Sequence, residues 1–72
     1  MWGKVRVVRN YPDFRVAVVS SHPDLRVEKV SSYPDSPGKW QFVSHYEDFT
    51  IEYVTSHPDF TIEFVDYYPG VP

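Results

Sequence analysis

Asp48-Phe49-Thr50-Ile51-Glu52-Tyr53-Val54 is the stretch that decides the fold. In an extended chain successive side chains point to opposite sides, so Phe49, Ile51 and Tyr53 share one face and Thr50 and Glu52 the other. A helix would scatter the same three apolar residues around its circumference. β-Branched and aromatic residues in strict alternation mark a half-buried strand. Val54 breaks the alternation, so the strand is expected to bend there and turn this valine inward as well. Eleven residues on, Asp59-Phe60-Thr61-Ile62-Glu63-Phe64-Val65 repeats the pattern. Asp13-Phe14-Arg15-Val16-Ala17-Val18-Val19 and Asp24-Leu25-Arg26-Val27-Glu28-Lys29-Val30 carry it in the first half of the chain. Lys4-Val5-Arg6-Val7-Val8 and Lys39-Trp40-Gln41-Phe42-Val43 open the two sets of three.

Working outward, a shift of 35 positions lays residues 3–37 on residues 38–72 without a gap. Gly3-Lys4 falls on Gly38-Lys39, Ser21-His22-Pro23-Asp24 on Ser56-His57-Pro58-Asp59, and Tyr33-Pro34 on Tyr68-Pro69. The expectation is one all-β domain over residues 1–72, with six short strands in an 11-residue tandem repeat grouped three and three. The connectors centre on Tyr11-Pro12, His22-Pro23, Tyr33-Pro34, Tyr46-Glu47, His57-Pro58 and Tyr68-Pro69. Proline brings a preset φ and removes a ladder donor, and the aspartate that follows can bond nearby backbone N–H groups. These are corners, not the tight Asn-Gly or Asp-Gly turns that fold a hairpin straight back. The sequence leaves the isomer of each X–Pro bond open. Asp35-Ser36-Pro37-Gly38 is a longer linker, placed where a second circuit would begin.

The halves are complementary. Residues 1–36 hold six cations against four acids, a balance of +2, and residues 37–72 hold one cation against six acids, a balance of −5. The first half is slim and valine-rich, while the second supplies Trp40, Phe42, Tyr53, Phe60 and Phe64. Opposite charges and complementary sizes favour pairing of strand n with strand n+3, running parallel, as two interlocked three-strand circuits. A duplicated antiparallel meander is the alternative arrangement. The expected core is Phe14, Val16, Trp40, Phe42, Phe49, Ile51, Phe60 and Ile62.

The run from Val27 to Gly70, with Gly38-Lys39-Trp40 at its centre and an aspartate ahead of each strand at Asp48 and Asp59, resembles the septoil-knot domain family. The resemblance covers nearly the whole chain. It implies a small β-protein of bacterial or phage origin, wound as a seven-crossing torus knot, and it brings no biochemical activity with it.

Composition excludes several functions. A net charge of −3 with no dominant basic face argues against nucleic acid. No apolar run approaches the roughly 20 residues of a membrane-spanning helix. Met1 to Arg6 carries charge without an apolar segment behind it, so no signal peptide is read, and a cytoplasmic, monomeric protein is expected. There is no cysteine for a disulfide or thiolate site.

His22, His57, Asp24 and Asp59 are the residue types of a divalent-metal site, repeated by the duplication. Equally, the histidines stand where other corners carry tyrosine, which makes the ring a feature of the corner. Ser21-His22-Pro23-Asp24 contains the residue types of a hydrolase triad, but four consecutive residues in a repeated turn do not assemble one. No catalytic residue and no cofactor is expected. Arg15 and Arg26 either stack on nucleotide bases or, more simply, pair with Glu52 and Glu63 on the neighbouring strands. Tyr67 and Tyr68 are candidates for a protein-binding rim, since tyrosine is enriched at binding hot spots, or else they cover the ends of a small core. The functional expectation is a non-enzymatic structural or protein-binding module, with metal or small-ligand binding at the His-Pro-Asp corners as the alternative. An exposed strand edge would allow homodimerisation.

Overall fold

The computed structural model describes residues 1–72 and places a strand at each of the six alternating segments. These are β1 (Gly3–Val7), β2 (Phe14–Val18), β3 (Leu25–Lys29), β4 (Lys39–Phe42), β5 (Phe49–Tyr53) and β6 (Phe60–Phe64). There is no helix, and so none long and apolar enough to cross a membrane.

The strands close into a barrel in the order β1-β4-β3-β6-β2-β5, with every neighbouring pair parallel. Each strand of the first half lies between two strands of the second. The meander is excluded, because no strand pairs with another of its own half. The expected n with n+3 pairing is present: Gly3 sits opposite Trp40, Phe14 opposite Ile51 and Leu25 opposite Ile62. A second set of ladders, β1 with β5, β2 with β6 and β3 with β4, completes the ring. Closure leaves no free edge, which removes the strand-edge route to dimerisation.

Because all strands point the same way, every connector must return the chain from the tail of one strand to the head of the next. The corner from β1 to β2 passes the intervening β5, that from β2 to β3 passes β6, that from β4 to β5 passes β1, and that from β5 to β6 passes β2. Each step moves two places around the ring. The linker after β3 moves only one place, to β4, and so starts the second circuit instead of closing the first. Parallel strands ordinarily need a crossover of a dozen or more residues. Short corners suffice here because the molecule is a disc of 30 × 29 × 14 Å, about as thick as a tilted five-residue strand is long.

The core is one complete layer. Val5, Val16, Val27, Trp40, Ile51 and Ile62, the middle residue of each repeat, are fully buried. Leu25 and Phe49 at the strand heads complete the buried set. Phe14, Phe42 and Phe60, expected as core, are half-buried and pack on its margin together with Phe64. Val5, Leu25 and Val27 take the inside positions instead, because first-half strands alternate around the barrel and turn their slim residues inward just as the second half does. Gly3 and Gly38 stand in register with the Phe and Leu heads of the other strands, and the Trp40 indole packs against the head residues Phe49 and Phe60. It meets Phe42, Phe49 and Phe60 edge-on at centroid distances of 6.2, 5.4 and 6.4 Å. Such geometry sets the positive ring edge against the negative face.

The valine that ends each repeat is half-buried and lies just past its strand, with its backbone still in the ladder. Val8 and Val19 donate to the carbonyls of Ile51 and Ile62, Val43 and Val54 to those of Val5 and Val16, all at 2.8–2.9 Å. The expected bend is thus a strand terminus whose last N–H stays bonded across the halves.

Candidate functional site

Four of the six corners are fixed at their base by an aspartate whose side-chain bond is not local, whereas at the corner after β3 the Asp35 N–H donates locally, to the Tyr33 carbonyl at 2.9 Å. Asp13 Oδ2 accepts from the Thr50 N–H at 2.9 Å while Thr50 Oγ1 accepts from the Asp13 N–H at 2.9 Å. Asp24 and Thr61 repeat the exchange at 2.9 and 3.0 Å. In the other direction, Asp48 Oδ2 accepts from the Lys4 N–H at 2.8 Å and Asp59 Oδ2 from the Arg15 N–H at 2.7 Å. Each of these four aspartates therefore clips a strand of the opposite half, just where its ladder would otherwise leave a donor unpaired. At the last corner Gly70 replaces the aspartate, and its own carbonyl accepts from the Arg26 N–H at 2.8 Å.

Charge pairing follows the same plan. Arg6, Arg15 and Arg26 reach Glu47, Glu52 and Glu63 at 3.0, 3.2 and 3.8 Å. Arg15 and Arg26 are thus partnered as the cross-strand reading expects. The hydrogen bond from Arg6, followed by bonding to its own backbone, holds the Glu47 carboxyl below the ordinary carboxylate range. Lys29 lies over the rings of Phe42 and Phe64, at 5.6 and 4.6 Å from their centroids.

All six corners nevertheless share an unusual backbone. Tyr11, His22, Tyr33, Tyr46, His57 and Tyr68 all have φ between +52° and +61°, and every peptide bond is trans. This left-handed region is routine for Gly and tolerable for Asn or Asp, but a bulky side chain there is uncommon and costs on the order of 1–2 kcal/mol. The rings recover little by packing, Tyr46 meeting only the neighbouring His45 ring edge-on at 6.4 Å. Tyr11 is 97% exposed, Tyr46 92%, Tyr68 89% and Tyr33 80%, and both histidines are exposed as well. The corners thus need a backbone conformation, and their rings do not cover the core. The recurrence of a tyrosine or histidine at the same place in every corner was visible in the sequence. The positive φ was not, because Gly or Asn would have been its usual signal.

Tyr67 and Tyr68 lie together on the last corner, 76% and 89% exposed, beside Arg26, Glu63 and Asp66. His22, His57, Asp24 and Asp59 are not assembled as a metal site: no group of three or more His, Asp or Glu side chains is close enough to hold an ion. The carboxylates of Asp24 and Asp59 are instead occupied by the Thr61 and Arg15 N–H groups.

Shallow grooves open between the corners. The largest, about 850 Å³, is bounded on one side by Arg9, Asn10 and Tyr11 and on the other by Thr55, Ser56 and His57, with Arg15, Glu52 and Tyr53 between. Burial of its ring raises the Tyr53 phenol above its ordinary value. Smaller grooves of about 540 and 470 Å³ lie beside Arg6 and Arg26. Sequence reasoning singled out Arg15 and His57 separately but missed Arg9 and the groove that joins them, because corners from opposite halves meet only through the winding.

No curated protein is significantly similar to the chain. The model of the 7(1) septoil knot domain matches residues 1–72 in full. A doubled circuit of six parallel strands, with four connectors stepping past the strand between, is consistent with such a winding, and the chain belongs to the 7(1) septoil knot domain family.

Proposed function

We propose that the protein is a non-enzymatic binding module, a rigid disc that presents ring-tipped corners to a protein partner. The observation that carries this is the set of six corner residues with positive φ and exposed rings. Backbone strain with so little packing to offset it is a cost to stability, and such strain collects where function needs it. Tyrosine offers a large amphipathic contact at low side-chain entropy, which is why it is enriched in protein-recognition surfaces. The aspartate clips and the closed barrel hold the corners in place before any partner arrives, which lowers the ordering cost of association. Metal binding at His22 and His57 lacks a third ligand to support it.

The test is photo-crosslinking in the native host. A benzophenone side chain is placed at Tyr46 or Tyr68, and at Lys4 on the barrel wall as the control. Discrete protein adducts at the corners and none at the wall are expected. Equal labelling at all three positions, or no adduct at any corner, overturns the reading.

A further inference from the structure

The repeat itself shows which corner is specialised. The residue after the terminal valine of each unit is Ser20, Ser31, Ser44, Thr55 and Asp66 in five units, and Arg9 in the first. Arg9 is exposed and has no carboxylate within ion-pairing distance, whereas Arg6, Arg15 and Arg26 are each paired. A break in a repeat that answers no structural need points to a function. Arg9 also stands on the wall of the largest groove. With Arg9 and Arg15 against Glu52, that groove carries a formal charge of +1. The groove at Arg6 and Glu47 is neutral, and those holding Asp66 with Arg26 and Glu63, or with Lys29 and Glu28, are each −1. In a chain of net charge −3 this is the one groove that attracts an anion.

We propose that the groove between the β1–β2 and β5–β6 corners binds an acidic peptide segment of a protein partner, with a carboxylate side chain on the Arg9 guanidinium. The inference rests on the reading of the corners as a protein-facing rim and names the chemistry recognised there. Arg9 supplies a planar fork matched to a carboxylate, unencumbered by an internal pair. Tyr11, Tyr53 and His57 flank it with ring surface for the neighbouring residues of the peptide. Glu52 is held by Arg15 at 3.2 Å, so its negative charge is answered within the protein.

The test pans a displayed library of random short peptides against the protein and, in parallel, against Arg9→Ser, which installs the residue found at three other corners. Enriched sequences rich in Asp and Glu are expected, with affinity about tenfold lower for Arg9→Ser, the loss that one charge-assisted hydrogen bond to a rim cation implies. Added salt should weaken binding to the parent protein. Amide shifts on titration should fall at residues 9–11 and 53–57, and Arg9→Ser should melt at the parent temperature because its side chain holds nothing in place. Enrichment without acidic bias, equal affinity for Arg9→Ser, or no enrichment overturns the groove as the site. If the selected peptides ignore Arg9 yet lose affinity for Tyr33→Asn and Tyr46→Asn, the groove fails while the corner reading stands.

Discussion

Tyrosine at φ near +54° is a choice against stability, and this can be measured one residue at a time. Tyr33 is 80% exposed with φ +55°. Asn adopts this conformation at lower cost, so Tyr33→Asn should stabilise the fold by about 1 kcal/mol, or roughly 4–8 °C in Tm for a domain of this size. Thermal melts decide it: a lower Tm would mean that the ring makes a stabilising contact. Glu47 gives the matching test for charge. Its folded carboxyl titrates below the ordinary value because Arg6 bonds the ionised form. A depressed folded value contributes stability above the unfolded carboxylate range, and that contribution disappears as pH falls through the folded value. Glu47→Gln should therefore melt below the parent at neutral pH, and the two curves should converge in acid. A difference unchanged down to acid pH would remove the ion pair as the cause. Both residues were readable as corner residues from their spacing. Neither the backbone angle nor the Arg6 partner was, since both depend on which strand the corner crosses.

For the strands, the sequence was informative about identity and less so about attachment. Alternation placed all six strands, and the opposite charge of the halves anticipated their pairing, as Arg15 with Glu52 and Arg26 with Glu63 show. The aspartates ahead of each strand read as local turn residues, yet Asp13 and Asp24 bond Thr50 and Thr61 at a separation of 37 positions. A side chain that can satisfy either its own turn or a distant strand looks the same in sequence, and the winding determines which one it meets. The clip is reciprocal, so its members should be energetically coupled. Asp13→Ala strips the acceptor from the Thr50 N–H, and Thr50→Val strips the acceptor from the Asp13 N–H. Each change should cost about 1 kcal/mol, and the double variant less than the two together, because contacting partners are not additive. Urea unfolding of the four proteins in the cycle measures this, and strict additivity would show that the two bonds act independently.

For the whole molecule, the question is what fastens a doubled circuit at its ends. The two termini meet at one glycine. Gly38 donates to the Met1 carbonyl at 2.9 Å, and the Trp40 indole N–H donates to the same oxygen at 3.4 Å. On the other side the last corner arrives at β3, where Gly70 and Arg26 exchange two backbone bonds of 2.8 Å each. A Cβ on Gly38 would run into the Arg26 carbonyl and the Gly70 nitrogen, the two atoms that one of those bonds joins. Gly38-Lys39-Trp40 stood out in the sequence as the signature of the family, and its physical reason lies here: the glycine admits the returning tail, and the tryptophan shares the Met1 carbonyl with it. No reading of one stretch could supply this, since residues 1, 26, 38 and 70 converge only after two turns around the barrel. Gly70 serves as the internal control. Its φ of +120° is as unfavourable to a side chain as the +83° of Gly38, yet a Cβ there meets only Pro37, at ordinary contact distance. Gly70→Ala should therefore cost the conformational strain alone, about 1 kcal/mol. Gly38→Ala carries that strain and also forces the Arg26–Gly70 bonds apart, for about 3 kcal/mol in all. Urea unfolding should separate the two variants by midpoint, and amide exchange at Arg26 and Gly70 should accelerate in Gly38→Ala beyond what its global stability explains. Equal midpoints and equal exchange would show that the tail is held elsewhere and that Gly38 matters only for its backbone angle.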